Sequence, residues 1–303
     1  MNGILPLWKE KGMTSHDCVF KLRKILKTKK VGHTGTLDPQ VEGVLPICIG
    51  QATRIAEYLT DAGKTYEAVV SIGRTTETED AEGATVKQDS SYKKITKQQL
   101  LDALATLTGV IEQTPPMYSA VKVNGKRLYE YARKGETVER PTRKVTIYSL
   151  ELLSDEEVYE GNEITFRIRI ACSKGTYIRT LAVQIGEKLG YPAHMASLVR
   201  TASSTFTAEN CVTLKQVEEA VMEDQISEII LPIEYALSAY PFIEITESIE
   251  KQILNGQILP MHTFLKENDK IVFSKGEKAL AVYVPHPSKA GLMKPEKMFP
   301  EQS

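Results

Sequence analysis

The chain is short of several things that would place it quickly. It has four cysteines, Cys18, Cys48, Cys172 and Cys211, far apart and with no C-x-x-C pair. That spacing rules out a disulfide scaffold and a cysteine-based zinc site, and reduced, mostly buried thiols in a cytosolic protein are the simplest account. There is no apolar run long enough to span a bilayer and no signal-peptide core, so a cytoplasmic protein without membrane attachment is expected. No G-x-x-x-x-G-K-[ST] and no G-x-G-x-x-G opening a helix occurs, which removes the common nucleotide and dinucleotide fingerprints. The five histidines, His16, His33, His194, His262 and His286, form no ligand spacing, and the acidic run Thr76–Gly83 lacks the glycine and glutamate positions of an EF-hand; no metal is expected. The formal net charge is −1, so bulk charge argues neither for nor against nucleic acid and local clusters must decide. Internal repeats and low-complexity tracts are absent. The length of 303 residues suits one large domain and a small one.

What is present concentrates in Lys30–Arg54. Glycines at 32, 35, 43 and 50 interrupt any regular element, and Asp38-Pro39 is a turn-forming pair. Val44, Leu45, Ile47 and Ile49 then read as a short buried strand. A polar loop with one carboxylate, braced by such a strand, is a place where catalytic groups sit, although an ordinary surface turn has the same composition.

Around that loop the pattern is mixed. Thr14 or Ser15 caps a helix to about Leu26. Lys21–Lys30 holds six basic residues, including Lys29 and Lys30, either a solvated face or phosphate contacts. Lys64–Gly73 and Ile164–Cys172 alternate as strands. Thr96 with Gln99, and Thr213 with Gln216, are capping boxes. Residues 113–144 interleave Tyr118, Tyr129 and Tyr131 with Lys126, Arg127, Arg133, Lys134 and other basic residues, a composition suited to an RNA-contacting surface or to a mobile solvated insert. A helix stripe follows Cys172, with Arg179 in its first turn, where a cation opposes the helix dipole and calls for an anionic partner. Past Tyr240-Pro241, a helix and a hairpin around Lys275-Gly276 form a small separate unit.

The run G-H-T-G-T-L-D-P, followed by G-V-L-P-I-C-I-G-Q-A-T-R, closely resembles the signature of the bacterial tRNA pseudouridine-55 synthases, the TruB family. N-G-I-L-x-L-x-K-x-x-G-M-T-S-H-D resembles its first motif, with Glu10 where the family usually carries proline. The resemblance covers residues 2–205 well and the tail thinly. It implies an α+β fold with a central mixed, largely antiparallel sheet flanked by helices. It further implies a catalytic domain over residues 1–238, with an RNA-gripping insertion at about 113–144, and a PUA-like domain over 239–303. It makes Asp38 the catalytic residue, Tyr66 a base-stacking tyrosine, Arg179 the partner of Asp38, and Leu198 a pocket-lining residue. Asp80 then shapes the site, and His33 either fills the gap left by a flipped base or serves only as a loop donor. Lys9, Lys29, Lys30, Lys126, Arg127, Arg133 and Lys134 are the expected RNA contacts.

The implied reaction detaches uracil from C1′ of a uridine in the tRNA T-arm, rotates it and rejoins it through C5. It is redox-neutral, so no cofactor is expected. One carboxylate suffices, as nucleophile at C1′ or as base for the 2′ proton. A guanidinium roughly 4 Å from Asp38 would contribute about 4 kcal/mol before desolvation at an effective dielectric near 20, offsetting part of the cost of a dry pocket. A monomer with no obligate protein partner is expected. An RNA-binding or tRNA-folding module with secondary catalysis is the competing class, and Asp38, Tyr66 and Arg179 together favour the enzyme.

Overall fold

A computed structural model describes residues 1–300. Apolar strands and one long helix determine the architecture. Strand β1 (Gly3–Lys9) pairs antiparallel with β3 (Glu42–Ile49), register Leu5↔Ile47, and a short strand β2 (Val31–His33) also pairs with β3. Between β1 and β2 lies helix α1 (Ser15–Ile25). Thr14 caps it, accepting from the Asp17 amide, while the Asp17 carboxylate accepts from Thr14 in return.

The main sheet runs β1, β3, Ala193–Ser203, β4 (Lys64–Ile72), Ile164–Cys172, Arg143–Leu152 and Gly109–Gln113, with β2 and Phe206–Thr207 as additional members. Only the join between β3 and Ala193–Ser203 is parallel, and the other neighbours are antiparallel. The expected mixed, largely antiparallel sheet with flanking helices is therefore what forms.

Alternation explains which face is covered. On β4, Tyr66, Ala68 and Val70 are buried while Glu67 and Val69 are half-exposed, and Ile164–Cys172 alternates the same way. The buried set packs with Leu181, Ala182 and Ile185 of the Ile178–Leu189 helix and with Leu22 of α1. Strand β3 is different, since nearly every residue is buried. Its Leu45, Ile47 and Ile49 face this core, while Val44 and Cys48 face a second one. A strand covered on both faces reads as a continuous apolar run, which is the pattern seen in its sequence.

That second core is shared with the C-terminal part of the chain. A five-stranded sheet (Phe242–Glu244, Ile271–Lys275, Lys278–Pro285, Leu292–Met298 and Leu259–Pro260) sends Val272, Ala279 and Val282 against Ile4, Val44 and Cys48. Polar ties reinforce the junction. Arg54 Nη1 donates to the Met298 carbonyl at 2.7 Å, and Lys297 pairs with Glu57 at 2.6 Å.

Candidate active site

The loop between β2 and β3 is held from three sides. Thr34, fully buried, donates through Oγ1 to the Pro46 carbonyl at 3.0 Å. Ser15, at the start of α1, accepts from the Leu37 amide at 2.9 Å and faces the Leu37 carbonyl at 3.3 Å. The Gly12 amide donates to Pro39 O at 2.9 Å, and the Val41 amide closes the turn onto Asp38 O at 3.0 Å. Gly35 has φ +149°, a conformation in which a side chain would be strained. Gly43 is still more constrained, because an added Cβ would lie 2.2 Å from the Arg200 carbonyl oxygen.

Two buried cations complete the frame. Lys9 has no exposed surface, and its Nζ donates to the carbonyls of Met13 (2.7 Å), Glu10 (3.0 Å) and Pro39 (3.2 Å). The expectation that Lys9 contacts RNA is therefore corrected: its ammonium is fully buried and spent on backbone carbonyls of the turn between β1 and α1 and of the Asp38 loop, so it cannot reach a phosphate. Burial lowers its pKa, as it must for an ammonium without a direct anionic partner. Arg200, also fully buried, donates Nε to Val44 O at 2.7 Å and Nη2 to Gly35 O at 3.3 Å.

This frame presents Asp38 to Arg179. The Arg179 Nε lies 3.2 Å from Asp38 Oδ2, and Nη1 lies 3.6 Å from Asp80 Oδ2. The same guanidinium donates Nη1 to Thr78 O at 3.0 Å and Nη2 to Tyr118 O at 2.9 Å. One planar fork thus joins three loops, and its five donors account for a cation in a helix's first turn. The Arg179 side chain is 7% exposed, whereas that of Asp38 is 43% exposed. The expected dry pocket is corrected on this point, because in the free protein water reaches the carboxylate and screens the pair. Among the described residues, Asp38 Oδ1 takes no protein hydrogen bond, so one carboxylate oxygen is held and the other is open.

Tyr66 stands on the neighbouring strand, paired across the sheet with Arg200 on one side and Ile170 on the other. Burial raises the pKa of its hydroxyl, with Arg200 pulling the other way, so the ring is a neutral phenol at ordinary pH. Leu198, buried two positions before Arg200, pairs with Ala68 and packs into the same core. His33 closes β2, half-buried, and the Gly35 amide approaches its Nδ1 at 3.4 Å. Burial lowers its pKa, and the charges of Arg200 and His16 add to that, which favours a neutral imidazole. Asp80 is oriented by Thr78, whose Oγ1 donates to its Oδ1 at 2.5 Å.

The basic residues fall elsewhere. Lys29 and Lys30 are exposed just before β2. In the insert, Lys122–Val123 and Lys126–Arg127 pair as a small hairpin leading into the Leu128–Ala132 helix. Two guanidinia stand near the Tyr129 ring, Arg127 at 5.8 Å and Arg133 at 5.3 Å from its centroid, while Lys126 stands 5.6 Å from the Tyr131 ring. Lys134 is exposed beside them. Leu128, the first residue of that helix, is fully buried.

The sequence alone assigns no role to Lys64 or Glu79, and places Arg200 with Leu198 in a segment, Gly190–Phe206, that resembles the family's pocket-lining strand. Lys64 donates to Thr60 O and Ala62 O, both at 2.8 Å, and burial brings it down to about 8. Two cavities, about 300 Å³ beside Leu254 and Met298 and about 180 Å³ beside Asp89 and Asn162, are lined by neither Asp38, Tyr66 nor Arg179. Among the described residues, no three His, Cys, Asp or Glu side chains gather closely enough to hold a metal.

Comparison with known proteins decides the family. Residues 23–178 match the model of the TruB family pseudouridylate synthase N-terminal domain, and residues 179–238 match that of the tRNA pseudouridylate synthase B C-terminal domain. The chain is 54% identical over 301 residues to the tRNA pseudouridine synthase B of Geobacillus thermodenitrificans, covering 99% of this chain and 100% of that one. It belongs to the TruB family. A Listeria innocua tRNA pseudouridine synthase B is likewise 54% identical, with 99% and 98% covered. Among solved structures, the archaeal box H/ACA sRNP Nop10-Cbf5 complex is similar at TM-score 0.71 and 25% identity, covering 98% of this chain and 86% of that one. A Cbf5-Nop10-Gar1 complex is similar at TM-score 0.69 and 28% identity, covering 99% and 84%. As a TruB-family pseudouridylate synthase, the chain is an isomerase. Among the described residues no helix is long and apolar enough to cross a membrane.

Proposed function

We propose that the chain isomerises the uridine of the tRNA T-arm loop, position 55, to pseudouridine. Asp38 serves as nucleophile or base, Arg179 orients it, and Tyr66 with Leu198 holds the freed base. One observation carries this reading: Asp38 keeps one oxygen on Arg179 and leaves the other open, beside a buried neutral tyrosine. The reaction breaks C1′–N1, forms C1′–C5, moves a proton to N1 and releases the one on C5. A carboxylate can drive it by attack on C1′ or by taking the 2′ proton, and each needs a single free oxygen.

The target base is stacked in folded RNA, so it must be flipped out at a cost of a few kcal/mol. Neutral His33, at the lip of the loop, suits the vacated space. Lys29, Lys30, Lys126, Arg127, Arg133 and Lys134 contact the RNA backbone, and substrate binding excludes the water that reaches Asp38 in the free protein. Residues 1–238 form the catalytic domain and 239–303 a PUA-like RNA-binding domain. The protein acts as a cytoplasmic monomer. The test is tritium release from a T-arm stem–loop carrying [5-³H]uridine at the target position, since C5 loses its hydrogen only if it becomes the glycosidic carbon. Absence of release by purified protein would refute the reading.

A further inference from the structure

We propose that Glu79 is a positioning residue for the Arg179–Asp38 pair, acting through Thr180. The inference rests on the roles just given to Asp38 and Arg179.

The turn containing residues 76–83 presents three consecutive groups to the first turn of the Ile178–Leu189 helix. The Thr78 carbonyl accepts from Arg179 Nη1 at 3.0 Å, the Glu79 carboxylate accepts from Thr180 Oγ1 at 2.6 Å, and the Asp80 carboxylate stands 3.6 Å from Arg179 Nη1. Thr180 is buried and follows Arg179 directly, so a bond to it fixes the rotation of the helix turn from which Arg179 departs. The turn is equally tied to the sheet. The Met195 amide donates to Glu79 O at 3.0 Å, and within the turn Thr76 Oγ1 donates to Asp80 O at 2.5 Å. Glu79 is therefore a peg between the helix and the sheet, one residue from each acceptor that Arg179 uses on this turn.

The backbone supports this. Glu79 has φ +63°, a left-handed conformation that a residue other than glycine holds only when its surroundings over-determine it. Its carboxylate is drawn inward instead of to water. Burial pushes its pKa up, while the Thr180 hydroxyl, Arg179 and Arg140 oppose that. Neighbouring Glu77 is exposed, whereas Glu79 and Asp80 both turn toward the helix.

The variants separate the peg from the strain. Glu79→Gly removes the carboxylate and accommodates the left-handed backbone better than any other residue. Glu79→Gln retains an acceptor oxygen. Thr180→Val removes the donor, and Thr180→Ser retains it. With stem–loop RNA at saturating concentration, Glu79→Gly and Thr180→Val should lower the single-turnover rate by about 10- to 100-fold, with RNA affinity within twofold of wild type. Glu79→Gln and Thr180→Ser should recover to within about threefold, and Glu79→Gly combined with Thr180→Val should be no slower than either alone. Melting temperatures are recorded for each variant. Rates within twofold of wild type for a folded Glu79→Gly, or a loss confined to affinity, would overturn the inference. If wild-type protein releases no tritium, the assignment of function fails instead, so the two failures are distinguishable.

Discussion

Replacing Arg179 by alanine removes a guanidinium that serves two carbonyls and two carboxylates. The magnitude follows from exposure. At 3.2 Å the attraction between unit charges is about 5 kcal/mol at an effective dielectric of 20 and about 1 kcal/mol in bulk water. With the Asp38 side chain 43% exposed, the lower end applies, and about 1–2 kcal/mol is the direct loss. The Thr78 and Tyr118 carbonyls lose their donors at a site where water already reaches Asp38 and can replace them, at about 1 kcal/mol each. The loops that carry Thr78 and Tyr118 then relax. Together these give about 3–4 kcal/mol, a fall of about 150- to 1000-fold in single-turnover rate. Arg179→Lys should recover little of it, because one ammonium cannot occupy four acceptor positions set out for a planar fork. The assay is a double-mutant cycle with Asp38→Asn on tritium release at saturating RNA, with affinity measured separately. Arg179→Ala in the Asp38→Asn background should cost little more, since groups acting as one unit are not additive. Fully additive losses would place Arg179 on another partner, such as an RNA phosphate, and the ion-pair account would go.

Lys9→Met should lower stability by about 2–4 kcal/mol through three unsatisfied carbonyls, yet leave the salt dependence of RNA binding unchanged; a reduced salt slope would restore a phosphate contact. Neutralising Lys126, Arg127, Arg133 and Lys134 together should flatten that slope, by about 0.9 for each duplex phosphate left without its cation, and an unchanged slope would return the insert to a solvated face. Lys64, held near 8 by burial against 10.5 unfolded, binds its proton less tightly when folded. The unfolded chain therefore carries more protons between those values, and wild-type stability should rise relative to Lys64→Met, by up to about 3 kcal/mol from about pH 7.5 to about pH 10.5. Urea unfolding at both ends of that interval would show it, and parallel pH dependence in the two proteins would contradict it.

Much of the fold was legible because local rules and tertiary packing agree. The alternation in Lys64–Ile72 and Ile164–Cys172, the capping boxes at Thr96 and Thr213, and the apolar run of β3 all appear as read, and of the two candidate caps for α1 the structure uses Thr14. The loop around Asp38 was conspicuous for its glycines and its polar content, whereas the role of Asp38 came from resemblance. What escaped was the burial of charge. Lys9 looked like a surface lysine at a strand end, but the pairing of β1 with β3 sets it opposite Gly43 and beneath the Pro39 carbonyl. Glu79 was one acid among four in an acidic stretch, and only a left-handed backbone turns it inward. Arg200 sat in an apolar strand whose partners, Val44 and Gly35, lie more than a hundred residues earlier. The half-exposure of Asp38 was equally hidden, since it depends on how far three separate loops close around one guanidinium.

The central claim is that the open oxygen of Asp38 performs the isomerisation. Asp38→Asn keeps the side chain's size and the loop around it while removing the charge. Wild-type protein should release tritium from [5-³H]uridine at the one target position of a T-arm stem–loop, up to one equivalent per RNA. Asp38→Asn should bind the same RNA with nearly unchanged affinity and release essentially none. Turnover by Asp38→Asn within tenfold of wild type would contradict the account.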